Sequence, residues 1–99
     1  MNMQAMLKQA QKLQSDMMKS QEEIHNMTFT GKSSNVSVEI NGKGEVIKVK
    51  FDMDEISKED IEMLEDMTML AFNDAKKQLD KITEEKMGAY TKGLPGGLF

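Results

Sequence analysis

The sequence of 99 residues contains no cysteine, no arginine, one proline and one histidine. Without cysteine there are no disulfides, and nothing marks the chain as secreted. No apolar run approaches the ~20 residues of a membrane span. The amino-terminal residues also lack the basic-then-apolar layout of a signal peptide, so a cytoplasmic protein is expected. His25 has no Cys, His or carboxylate partner at ligand spacing and reads as a surface or helix-end residue. No Ser–His–acid arrangement, phosphate-cradling Gly loop or metal-ligand cluster is present, so no catalytic residue, metal site, cofactor or small-molecule substrate is expected.

What is present is organised around residues 35–52, NVSVEINGKGEVIKVKFD. Val36, Val38 and Ile40 alternate with Ser37 and Glu39, and Ile47, Val49 and Phe51 alternate with Lys48 and Lys50. Period-two alternation on both sides of a Gly-rich turn predicts two antiparallel strands with one apolar face. Keeping the apolar residues on one face places Asn41 to Gly44 in the loop, Val38 opposite Ile47 and Val36 opposite Val49. A lone hairpin is marginal in water and needs a further strand or a helix on its apolar face. Residues 27–32, with Thr28, Phe29 and Thr30, read as that further strand, completing a three-stranded meander.

Helices flank the meander. From Asn2 to about Met27, Met3, Met6, Ala10, Leu13, Met17, Ile24 and Met27 follow a three-four spacing broken only at Ser20. Such a stripe reads first as a helix-packing surface. Ser57, with Asp60 three residues later and Ile56 and Ile61 placed as a hydrophobic staple, predicts the start of a second helix. That helix is expected to run to about Met87 and stop at Gly88. In its first half Ile61, Met63, Leu64, Met67, Met69, Leu70, Ala71 and Phe72 occupy most of the circumference. A helix apolar nearly all round is buried on more than one side. The sheet covers one side and a second subunit is the natural cover for the other, with Met63, Met67, Leu70 and Phe72 as the expected dimer contacts. The fold class is therefore α+β, a single domain over residues 1–92, with a flexible Gly- and Pro-containing tail at 93–99.

The formal charge of −4 conceals a strong segregation. Residues 1–20 balance to +2, residues 52–66 carry eight acids and one lysine for −7, and residues 76–99 return +2. The acids at 52–66 lack the Asp/Asn alternation with Gly of a calcium loop and suit a capped helix start instead. Lys8, Lys12 and Lys19 lie within ~40° of one another on the face of the first helix away from its seam, counting ~100° per residue. Lys77 and Lys81 point outward on the second helix. If the two helices run antiparallel, Lys86 and Lys92 join the first set at one tip, distant from the acidic centre. Such a tip suits a polyanion despite the negative total.

Together the parts resemble the YbaB/EbfC family of small bacterial nucleoid-associated proteins. The resemblance rests on MLKQAQKLQ at residues 6–14, on VEINGKGEVIKVKFD at the centre, on MLEDMTMLAFNDAKKQ at 63–78 and on the ending EEKMGAYTKGLPGGLF. It implies α-β-β-β-α protomers in an intertwined homodimer, with paired helices projecting like tweezers, and binding of double-stranded DNA at the nucleoid. Lysines at helix tips would neutralise phosphates and release counterions, a contribution that carries no sequence information. With no Arg, bidentate reading of guanine is reduced to what Lys provides, so low selectivity is expected. The alternative is a protein-interaction adaptor that uses its Met-rich helices as an adaptable surface without binding DNA.

Overall fold

A computed structural model describes residues 2–91. In chain order these form helix α1 (Met3–His25), strands β1 (Thr28–Ser33), β2 (Val36–Asn41) and β3 (Val46–Phe51), a 3-10 turn (Lys58–Asp60) and helix α2 (Ile61–Thr91). The strands make one antiparallel sheet in the order β1-β2-β3. This is the expected helix–meander–helix arrangement. Lys92 and the tail at 93–99 lie outside the described residues.

The β2–β3 register differs from the one the alternation predicts. Val38 stands opposite Val49 rather than Ile47, Val36 opposite Phe51 rather than Val49, and Ile40 opposite Val46. The cause is Asn41. Its Oδ1 accepts from the amides of Lys43 at 2.9 Å and Glu45 at 3.0 Å, and its own amide donates to the Glu45 carbonyl at 3.0 Å. The loop is thereby shortened to Gly42, Lys43 and Gly44, with Gly44 at φ +83°, a left-handed conformation that glycine adopts without penalty. Such a loop alone would turn Lys48 toward Val38. A bulge facing Glu39 and Ile40 leaves Ile47 as the extra residue and restores the apolar face beyond it.

The core forms where α2 lies on β1 and β2. Val36, Val38 and Ile40 are almost completely buried, and Leu64, Ala71, Ala75, Leu79 and Met87 meet them and Phe29 from the helix. Gly31 makes the contact intimate. A Cβ there would fall on the Ala71 carbonyl oxygen and lie 2.5 Å from the Ala75 amide nitrogen. Polar side chains of α2 then close the outer edge of β1: Asp74 Oδ2 accepts from the Lys32 amide at 3.1 Å, and Gln78 Nε2 donates to the Thr30 carbonyl at 2.9 Å.

The Ser57–Asp60 pairing expected at the helix start forms, with the Asp60 carboxylate accepting from the Ser57 amide and hydroxyl at 3.0 and 3.1 Å, but it caps the 3-10 turn, and α2 itself begins at Ile61. It does not stop at Gly88. The helix continues to Thr91, with Met87 buried and Tyr90 packed against the core on either side of the glycine. Tertiary packing here outweighs the ~1 kcal/mol that glycine costs in a helix relative to alanine.

These two glycines respond in opposite senses to one substitution. A Cβ at Gly88 meets nothing within 4 Å, so Gly88→Ala is expected to raise stability by up to ~1 kcal/mol. Gly31→Ala is expected to cost ~1–3 kcal/mol by forcing α2 off the sheet. In thermal unfolding each ~1 kcal/mol corresponds to a midpoint shift of roughly 4–8 °C for a chain of this size.

Candidate functional site

The two helices meet near their carboxyl-terminal ends. Lys86 Nζ lies 3.1 Å from Glu23 Oε2, and Ile24 is buried in the same core as Met87. The loop after β2 abuts the end of α1 so closely that a Cβ on Gly42 would fall on the Ile24 carbonyl oxygen. Away from this junction α1 runs free. At ~1.5 Å per residue, α1 is ~34 Å long and α2 ~46 Å. The molecule measures 71 × 22 × 14 Å, so the helices overlap only briefly.

This corrects the shared tip expected from the sequence. The start of α1 does not lie beside the end of α2; it projects beyond it. Lys19 sits one turn before Glu23, and Lys8 lies ~22 Å beyond Glu23 along the axis. Lys77 and Lys81 are exposed on the middle of α2, on the other side of the junction. Lys8, Lys12 and Lys19 are likewise exposed, whereas Lys86 is half-buried in its pair with Glu23. Among the described residues, neither these three lysines of α1 nor Lys77 and Lys81 have a carboxylate within 4 Å. The acidic segment at 52–66 occupies the linker after β3, the 3-10 turn and the first turns of α2, at the opposite end of the molecule. Charge is therefore graded along the long axis, with the projecting part of α1, residues 2–20, at +2 and an acidic cap at the other end.

Two apolar surfaces are left open. β3 lies beyond the helix, and its apolar residues Val46, Ile47, Val49 and Phe51 are each 42–50% exposed. Phe51 continues into a groove with Ile56, Ile61, Leu64 and Thr68. Ile56 and Ile61, expected to staple the helix start, thus line open space. Of the four residues expected at a subunit contact, Met63 and Leu70 are exposed, whereas Met67 and Phe72 are half-buried against the chain's own core. The second open surface is the seam of projecting α1, where Met3, Met6, Leu7 and Leu13 are exposed. The sequence did not single out β3 as uncovered, because alternation marks an apolar face without saying which helix reaches it.

Among the described residues no helix is long and apolar enough to cross a membrane. Comparison with known proteins points one way. The family model described as the YbaB/EbfC DNA-binding family matches residues 1–94. A nucleoid-associated protein of Lactococcus lactis subsp. cremoris (strain MG1363) is 53% identical over 97 residues, 96% of this chain and 98% of its own length. A nucleoid-associated protein of Streptococcus thermophilus (strain CNRZ 1066) is 47% identical over the same shares of the two chains. One from Ligilactobacillus salivarius (strain UCC118) is 39% identical, covering 97% of this chain and 94% of its own.

Proposed function

The chain belongs to the YbaB/EbfC DNA-binding family, and from that premise we propose that it is a homodimeric nucleoid-associated protein. It binds double-stranded DNA with low sequence selectivity through lysines on its helices, and organises or regulates the bacterial chromosome. The observation that carries this reading is the projecting stretch of α1 with Lys8, Lys12 and Lys19 exposed and, among the described residues, without ion-pair partners, at the far end from the acidic segment. An ammonium free of carboxylates exchanges condensed counterions for a phosphate with little competing loss. The distant acids keep the acidic end away from the duplex and so orient the approach.

The dimer rests on the open apolar surfaces. Monomeric proteins rarely leave contiguous apolar area of this kind in water. A second copy covers the exposed face of β3 with its groove and the Met63–Leu70 side of α2, and brings two α1 rods into one particle. Two rods double the lysines available to the phosphates of one duplex. The adaptor reading has its own support in the exposed seam of Met3, Met6, Leu7 and Leu13, an adaptable apolar stripe suited to another protein.

Replacing Lys8 and Lys12 together by Gln, or Lys77 and Lys81 together, is expected to weaken binding about equally for unrelated duplexes. The salt dependence should flatten by ~0.9 in log–log slope for each phosphate that is no longer neutralised. Fluorescence anisotropy at two salt concentrations reads both quantities; unchanged binding by both double variants would favour the adaptor. Leu70→Asp places a charge on an apolar surface whose burial is worth ~1.5–3 kcal/mol per large side chain. Light scattering should then report a mass near 11.2 kDa, or an unfolded chain, instead of twice that value. A folded dimer would put the interface elsewhere.

A further inference from the structure

The sheet face turned away from α2 carries lysines that the helix-based reading leaves unused. Lys32, Ser37 and Lys50 stand opposite one another across the three strands, and Lys48 follows on the same face opposite Glu39. Strands ~4.8 Å apart put the Lys32 and Lys50 backbones ~10 Å from each other. All three lysines are exposed, and among the described residues none of their ammonium groups has a carboxylate within 4 Å, although the Lys32 backbone amide donates to Asp74. Between Lys32 and Lys50 lies a polar recess of about 190 Å³, lined also by Ser34, Asn35 and Ser37, with Asp52 as its one acid. The hydroxyls and the amide are neutral donors held between two cations, the donor set of an oxyanion cradle.

Lysines on an exposed edge strand have another explanation, since they discourage pairing with a foreign strand. That explanation fits Lys48 and Lys50 on β3. It fits Lys32 less well, because Asp74 and Gln78 already hold the Lys32 amide and the Thr30 carbonyl on the outer edge of β1.

We propose that this face is a second phosphate-binding site, in which Lys32, Lys50, Ser34 and Ser37 hold one backbone phosphate of a DNA duplex and Lys48 faces the next. The site rests on the duplex-binding reading above and adds a binding surface on the sheet to those on the helices. Asp52 opposes the bound anion, which keeps the site weak and reversible, as sliding along a duplex requires.

The test uses the full chain and a short fluorescein-labelled duplex at low salt, with anisotropy as the readout. Lys32→Gln with Lys50→Gln should weaken binding roughly tenfold and lower the salt slope by ~0.9, the contribution of the one phosphate they hold together. Asp52→Asn should tighten binding. In the unmodified protein, amide resonances of Lys32, Ser34, Ser37 and Lys50 should shift on addition of the duplex, a readout independent of any variant. If Lys8→Gln with Lys12→Gln weakens binding while the sheet variants match the parent and the sheet amides stay unmoved, the sheet site is overturned and the helix reading stands. If the parent binds no duplex at low salt, both fail together.

Discussion

The contact between Gly31 and the Ala71–Ala75 stretch lets the backbone of α2 approach β1 more closely than any side chain would allow. That approach sets the lateral position of the helix. With its axis over β1 and β2, α2 buries Val36, Val38 and Ile40 and brings Asp74 and Gln78 within reach of the β1 edge. The same placement leaves β3 beyond the helix with its apolar side open. One small residue on a strand thereby decides both what the chain buries and what it leaves open. It also holds the far end of α2 beside the end of α1, through Lys86 and Glu23, and so sends the amino-terminal rod outward.

Much of the fold was legible in the residues. Alternation around Asn41-Gly42-Lys43-Gly44 and the three-four spacing of Met3 to Met27 are local signals, and local signals locate elements. The hairpin register was not legible. It depends on hydrogen bonds from the Asn41 side chain and on a bulge at Ile47, neither of which leaves a mark on the alternation. The end of α2 was misplaced for a related reason. Gly88 is a stop signal by propensity, and the burial of Met87 with the packing of Tyr90 outweighs it. The candidate site was legible as a set of charges and misjudged as a place, because sequence shows that two helices carry lysines without showing how far they slide past one another.

For function, the geometry matters more than the net charge. A total of −4 argues against a DNA partner, yet eight of the seventeen acids are gathered at 52–66, and Lys8, Lys12 and Lys19 stand at the other end without an ion pair among the described residues. At ionic strengths where fields decay over ~10 Å, a separation of several such lengths lets the two ends act independently. Lysine supplies affinity for phosphate without the planar fork that reads guanine, which is consistent with the low selectivity proposed above.

The open face of β3 is the surface that the proposed dimer covers. A dimer assembled from isotopically labelled and unlabelled chains, studied by isotope-filtered NMR, separates contacts between copies from contacts within one. Intermolecular cross-peaks from the methyl groups of Val46, Val49 and Ile61 are expected, since a second copy is held to cover them. Filtered spectra with no cross-peak to any of these methyls, in a sample that sediments as a dimer, would contradict it.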